Sequence, residues 1–223
     1  MNVNYQKTRE LMVENQLRPN RIKDANILNI FKEIPKEDFV PKEINSLPYS
    51  DTEISLTNNR GYLKNLHLAQ LIHYSDIKKN HKILHIGALT GYVSTLFSKL
   101  CFEVLVIETR EDLTLKLQKN INDFNLKNIK IVSGSFEEGF PSEGPYDRII
   151  IDTPIKKLNN KILDQLDQNL GKIVIIEKEK NNLNKAFKIT RNKNNFSKEY
   201  LFDVFSNYQL FYEKEGFIFW KRY

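Results

Sequence analysis

The 223-residue sequence contains one cysteine, Cys101, and four histidines. A single cysteine excludes a disulfide framework or a cysteine zinc site within one chain. The histidines follow no zinc-ligand spacing; they are His67, His73, His81 and His85. No apolar run reaches the roughly 20 residues of a membrane-spanning helix, and the first residues lack the apolar core of a signal peptide. These absences predict a cytoplasmic protein with no membrane segment and no metal site.

The charge balance is basic but dispersed. The chain has 34 Lys and Arg against 28 Asp and Glu, which gives a net charge of +6. Its densest basic stretch, residues 178–198, carries few aromatic side chains for stacking on bases. A solvated lysine-rich face is therefore favoured over a nucleic-acid site, and the role of this stretch stays open.

Only eight residues are glycine, and two of them fall in the segment 82–92. An apolar run of strand length comes first, then Gly87, then Gly91 at the start of a helical pattern. Strand, glycine turn and helix form the opening unit of a nucleotide-type α/β fold. An ordinary βα turn with two glycines is the competing interpretation.

The next apolar strand, residues 102–107, ends at Glu108. A carboxylate at the tip of the second strand, about 20 residues after the glycines, binds the ribose diol in such folds. The alternative is that Glu108 is solvated or pairs with a nearby basic side chain. We expect the ribose role.

The rest of the chain alternates strand and helix patterns, which predicts a doubly wound α/β sheet. Asp24 is the expected N-cap of a helix in the helical region 8–34, and 54–66 is expected to be an irregular loop. A helix from Ile162 to Leu170, capped by Gly171, is expected before the fifth strand. Antiparallel strands are expected at 187–190, 200–205 and 217–220. We predict a helical N-terminal lobe at 1–80 and an α/β domain at 81–223.

With these residues in place, the chain resembles the protein-L-isoaspartate O-methyltransferases, as a divergent member. The likeness lies in segments 12–17 and 24–28, in the Ile-Pro-Lys-Glu-Asp-Phe-Val-Pro motif at 34–41, and in the fourth-strand motif at 145–151. The glycine motif itself is Gly87-Ala88-Leu89-Thr90-Gly91-Tyr92. The resemblance implies a mostly parallel, seven-stranded Rossmann-like methyltransferase sheet. It also implies that S-adenosylmethionine donates a methyl group to isoaspartyl carboxylates in damaged proteins or peptides.

The resemblance also implies the site residues. The glycine motif, together with His85, would hold the methionine part of the cofactor. Glu108 would bind the ribose, and Ser135 and Phe136 would flank the adenine.

The chain departs from the family at several of these positions. His85 replaces an acid, Leu89 replaces a small residue and places bulk where the backbone is expected to approach the ligand, and Ser135 and Phe136 replace an acid and a glycine. On the expected substrate side, Gly61-Tyr62-Leu63 stands where the family has Thr-Ile-Ser, so Leu63 supplies no hydroxyl at the family's active serine. Asp152, at the end of the fourth strand, is a further acceptor-side candidate. No catalytic residue follows from the sequence.

Three alternatives stay open at this point. Leu63 and Asp152 favour a methyltransferase that acts on another acceptor, such as a small molecule. His85 and Leu89 favour a binding protein that keeps the fold without catalysis. A dinucleotide dehydrogenase is a weaker alternative, because the spacing of Gly87 and Gly91 differs from its three-glycine fingerprint.

Overall fold

A computed structural model describes residues 4–44 and 48–210 of the chain. Within this part, seven strands form one sheet in the order β5-β4-β3-β6-β7-β8-β9. The first five strands of that order run parallel, and β8 and β9 are antiparallel additions. The strands are Ile54–Ser55 (β1), Gly61–Tyr62 (β2), Lys82–Ile86 (β3), Glu103–Ile107 (β4), Ile129–Ile131 (β5), Arg148–Ile155 (β6), Asn169–Glu177 (β7), Leu183–Asn192 (β8) and Asn195–Phe205 (β9).

The predicted doubly wound sheet is therefore confirmed, with helices between its parallel strands. The α-helices are Tyr5–Met12 (α1), Ala25–Glu33 (α2), Asn65–Ser75 (α3), Tyr92–Ser98 (α4), Glu111–Asp123 (α5) and Asn160–Leu163 (α6). A π-helical turn, Val13–Leu17, extends α1. Every residue of β6 is buried, as its apolar run predicts for a strand covered on both faces. The predicted strands at 187–190 and 200–205 lie within β8 and β9, and the one at 217–220 lies outside the described residues.

The N-terminal helices pack on the sheet because their apolar faces continue its core. Asp24 caps α2 as predicted, since its side chain accepts hydrogen bonds from the backbone of Asn26 and Ile27. Phe31 of α2 is fully buried and meets the Tyr92 ring edge-on, with centroids 6.4 Å apart. One apolar cluster thus runs from these helices to β3 and α4. The division of the chain at residues 80 and 81 stays a prediction.

Two local predictions are wrong. The segment 54–66 is not wholly irregular, because β1 and β2 pair there as a short antiparallel hairpin. The helix expected from Ile162 to Leu170 ends at Leu163, and β7 already begins at Asn169. Leu170 has φ +67°, so the chain turns where the apolar spacing predicts a last helical turn. Gly171 therefore lies inside a strand instead of capping a helix. A β-carbon there would lie 2.5 Å from the Asp167 carbonyl oxygen, which explains the glycine.

The topology fixes where a ligand meets the sheet. Strand β3 lies between β4 and β6. The chain continues from β3 to β4 and β5 on one side and then returns to β6 on the other side. Such a switch point opens a crevice at the carboxyl ends of the strands. Gly87 and Glu108 directly follow β3 and β4. Asp152 does not end the fourth strand as expected, because β6 continues to Ile155, but it lies beyond Ile150, the last residue of β6 that pairs with β3. Among the described residues, no helix is long and apolar enough to cross a membrane.

Candidate active site

The turn after β3 adopts a conformation that requires its glycines. Gly87 has φ +88° and Gly91 has φ +95°, both in the region that disfavours side chains. The N–H of Gly87 donates to the Ile107 carbonyl at 2.9 Å, which holds the turn against the end of β4. The turn thus presents bare backbone at the switch point, as the sequence predicts.

Leu89 does not place its bulk toward the crevice. Its side chain is 1% exposed and belongs to the same apolar cluster as Tyr92 and the N-terminal helices. Its φ of +55° is unusual for a leucine and turns its N–H toward Glu108. The Leu89 side chain therefore does not obstruct the crevice as expected. It is buried in the core, although its backbone has a positive φ that is unfavourable for leucine.

Glu108 is the most heavily hydrogen-bonded carboxylate of the site. Its side chain is fully buried. Backbone N–H groups of Leu89, Thr109 and Arg110 donate to it at 2.9, 2.9 and 3.0 Å. Arg60 adds a bidentate ion pair, with Nη1 2.8 Å from Oε1 and Nη2 2.7 Å from Oε2. Five donors therefore saturate the carboxylate that the sequence assigns to the ribose.

The space over Gly87 is filled by two side chains that come from distant parts of the chain. A β-carbon added to Gly87 would lie 2.7 Å from Cδ1 of Leu210 and 3.4 Å from Nη2 of Arg60. The Arg60 guanidinium also lies over the Phe136 ring, 5.0 Å from its centroid. Arg60 thus sits between Glu108 and Phe136, the two residues expected to contact ribose and adenine. We call Arg60 and Leu210 the plug.

A pocket of about 600 Å³ opens directly outside the plug. Its lining includes Asn58, Arg60, Arg110, Phe136 and Leu210. It is therefore continuous with the crevice and extends it toward solvent. Ser135 is exposed nearby, and its hydroxyl accepts from the Glu137 N–H at 3.1 Å, which orders the loop rather than the pocket wall.

The expected substrate side is tightly packed. Tyr62 and Leu63 are each 1% exposed, and both belong to the apolar cluster that joins the N-terminal helices to β3 and α4. The Tyr62 hydroxyl lies 2.8 Å from Oγ1 of Thr90 and accepts from the Tyr92 N–H at 3.1 Å. Tyr62 therefore joins the β1–β2 hairpin to the glycine turn, and Leu63 fills core where a serine would place a hydroxyl.

His85 and Asp152 form a buried pair on the same face of the sheet. Nε2 of His85 lies 3.3 Å from Oδ1 of Asp152, and Nδ1 lies 2.8 Å from the Ser94 hydroxyl. His85 is fully buried and Asp152 is 4% exposed. The two facing atoms lie within ion-pair distance but make no hydrogen bond. The carboxylate beside His85 thus comes from the neighbouring strand β6.

Sequence reasoning predicts site roles for the glycine turn, Glu108, His85 and Asp152, which stay predictions, but it does not predict the plug. Arg60 carried one available signal, because it is the only charged residue between Glu53 and Lys64. Leu210 carried none. Among residues 4–44 and 48–210, no group of three His, Cys, Asp or Glu side chains is arranged to hold a metal ion.

The comparisons with known proteins agree with the resemblance. The family model described as protein-L-isoaspartate(D-aspartate) O-methyltransferase matches residues 6–205. A relative named protein-L-isoaspartate O-methyltransferase in Herpetosiphon aurantiacus is 30% identical over 170 residues, which cover 76% of this chain and 75% of that protein. One of the same name in Methanoculleus marisnigri is 28% identical over 166 residues, covering 74% of this chain and 75% of the relative.

Solved structures agree on the fold. A putative protein-L-isoaspartate O-methyltransferase from Plasmodium falciparum, in complex with S-adenosyl-L-homocysteine, superposes with a TM-score of 0.74 at 21% identity, covering 91% of this chain and 96% of that one. Another protein-L-isoaspartate O-methyltransferase structure gives a TM-score of 0.75 at 18% identity and covers 89% of this chain, which spans 64% of that longer one. The family match extends over most of the chain, from the N-terminal helices to β9, and the chain belongs to the protein-L-isoaspartate(D-aspartate) O-methyltransferase family.

Proposed function

We propose that this protein transfers a methyl group from S-adenosylmethionine to the carboxylate of isoaspartyl residues in proteins or peptides. The observation that carries the proposal is that the family match covers the whole α/β sheet, including the glycine turn and Glu108. Relatives that share this match carry the name of that activity. We also propose a cytoplasmic location, which suits a chain whose single cysteine cannot form an internal disulfide.

The residues of the crevice suit this cofactor in kind. Gly87 supplies backbone without a side chain, Glu108 supplies a carboxylate for ribose hydroxyls, and Phe136 supplies an aromatic face. The described arrangement gives that space to the plug, so the nucleoside fits only when Arg60 and Leu210 move. When bound, S-adenosylmethionine supplies a methyl group that its sulfonium makes reactive.

The protein then has to align the acceptor oxygen with the methyl group and exclude water. An isoaspartyl carboxylate is already ionised near neutral pH, so its oxygen needs no general base. The packed wall around Tyr62 and Leu63, together with the glycine turn, is suited to hold the acceptor in line and dry. The absence of a serine at Leu63 thus removes a hydrogen bond to the acceptor but no essential proton-transfer step.

A methyl-transfer assay on an isoaspartyl peptide tests the proposal. We expect methylation of a peptide that carries isoaspartate and none of the same peptide with ordinary aspartate, which is the matched control. Methylation of both peptides, or of neither, would count against the proposed acceptor.

The His85 and Asp152 pair favours a second candidate, a methyltransferase on an acceptor that must first lose a proton. A buried carboxylate beside a histidine is suited to take a proton from a hydroxyl or amine. Asp152→Asn separates the two candidates. If the acceptor is a carboxylate, the variant should keep its rate on the isoaspartyl peptide to within about 3-fold, because no base is used. A loss of 100-fold or more in methyl transfer to a hydroxyl or amine acceptor, typical of a removed general base, would favour the second candidate.

A further inference from the structure

We propose that Arg60 is an internal competitor of the cofactor: its guanidinium holds the ribose-binding carboxylate of Glu108 and must leave for the nucleoside to bind. This inference rests on the proposed function, because it takes the ribose role of Glu108 as given. It assigns to Arg60 a direct influence on cofactor affinity. Leu210 shares the role, since it covers the bare backbone of Gly87.

Competition follows from the limited capacity of one carboxylate. Both oxygens of Glu108 already accept an Arg60 N–H in addition to backbone N–H groups. A ribose diol needs the same lone pairs in the same plane. The guanidinium also covers the Phe136 ring, where a base would stack. Arg60 and a nucleoside therefore compete for the same two partners.

Glu108 is able to release Arg60 without being left bare. The N–H groups of Leu89, Thr109 and Arg110 remain on the carboxylate when the guanidinium goes. Arg60 itself is incompletely satisfied, because its Nε is buried without a hydrogen-bond partner. A buried donor without a partner destabilises the state that holds it. The ion pair with Glu108 thus holds Arg60 in place, while the unpartnered Nε lowers the cost of its displacement by a nucleoside.

The two plug residues belong to connected segments at the rim of the crevice. The Gln209 N–H donates to the Asn59 carbonyl at 3.1 Å, and the Leu210 N–H donates to the Pro154 carbonyl at 3.0 Å. The hydroxyl of Tyr208 lies within 2.7 Å of the position that a β-carbon on Gly61 would take. The loop that carries Arg60 and the segment that carries Leu210 therefore contact each other, so both plug residues border the same opening.

Isothermal calorimetry with S-adenosylhomocysteine on the full chain tests the inference. Arg60→Met keeps the length of the side chain and removes its charge and its donors. We expect this variant to bind at least about 10-fold more tightly than the natural protein, because the hydrogen bonds to Glu108 no longer have to be broken. Arg60→Lys, which keeps the charge but cannot bind both oxygens in a fork, should fall between the two.

Two further variants make the result specific. Arg110→Met removes a positive charge at the same pocket while its backbone N–H still binds Glu108, so its affinity should stay within about 3-fold of the natural protein. Leu210→Ala uncovers Gly87 without touching the charges and should also tighten binding. It serves as the independent test if Arg60→Met folds poorly.

The outcomes separate the competing explanations. If Arg60 positions Glu108 for the cofactor, Arg60→Met will bind more weakly, and the inference is overturned while the proposed function stands. An equal gain in Arg110→Met would reduce the effect to general electrostatics and also overturn it. If neither the natural protein nor the Arg60 and Leu210 variants bind at about 1 mM ligand, the inference and the proposed function fall together.

Discussion

Replacing Glu108 with alanine is expected to lower the free energy of unfolding by about 3–5 kcal/mol, the effect of breaking a buried ion pair from one side. The substitution leaves Arg60, whose side chain is 6% exposed, buried without its counter-ion. It also removes the acceptor of three backbone N–H groups, those of Leu89, Thr109 and Arg110. Urea unfolding of the purified variant measures the loss. Under the proposed ribose role of Glu108, the same substitution should also weaken S-adenosylhomocysteine binding by about 10-fold or more, because the ribose hydroxyls would lose their partner.

The matched control removes both charges at once. The double variant Arg60→Met/Glu108→Ala buries no unpaired charge, so it should be more stable than Glu108→Ala alone. It should stay less stable than the natural protein, since the three backbone N–H groups still lack their acceptor. A double variant that is no more stable than Glu108→Ala would mean that the guanidinium finds water when the carboxylate is removed, and that the ion pair is not the source of the loss.

The fold and the framework of the site follow from short-range patterns in the sequence. A buried run before Gly87, a second strand followed by Glu108 and a fourth strand that carries Asp152 are each visible within a few residues. Parallel strands bring their carboxyl ends to one edge, so placing these residues together needs only the strand order. The predicted sheet and family are confirmed on this basis. The roles of the individual site residues stay predictions.

The contents of the crevice depend instead on contacts that no local pattern encodes. Arg60 meets Glu108 across 48 positions of the chain, and Leu210 reaches Gly87 from beyond the last strand. The orientation of the Leu89 side chain could not be predicted either, because it depends on a φ of +55° that the apolar character of leucine does not indicate. The helix predicted up to Leu170 is wrong for a related reason. Leu166 is buried outside any helix, and Leu170 is 58% exposed at the start of β7, so their apolar spacing does not mark a helical face. The sequence thus predicts which groups line the site, but not which of them already bind each other.

Lys36 is expected to make the stability of the protein rise from neutral to mildly alkaline pH. Its ammonium is fully buried, with Nζ 2.8 Å from Oδ1 of Asn65 and above the rings of Tyr62 and Tyr92 at 5.7 and 5.4 Å. Burial lowers the pKa of Lys36 from 10.5 to about 7. Between these two values the unfolded chain holds a proton that the folded chain releases, so raising the pH favours folding. We expect a gain of about 2 kcal/mol from pH 7 to pH 9.

Urea unfolding at a series of pH values in this window measures the gain, and Lys36→Met is the control that should flatten the curve. Other buried titratable groups affect stability mainly at other pH values. Burial lowers the pKa of His67 to about 4, so it destabilises the fold only in acid, and the raised pKa values of Tyr62 and Tyr92 matter above pH 10. Burial raises the pKa of Cys101 from 9.0 to about 12, so this thiol lowers stability with rising pH only near pH 9, the upper end of the window. Equal slopes for both proteins would show that Lys36 keeps its ordinary pKa.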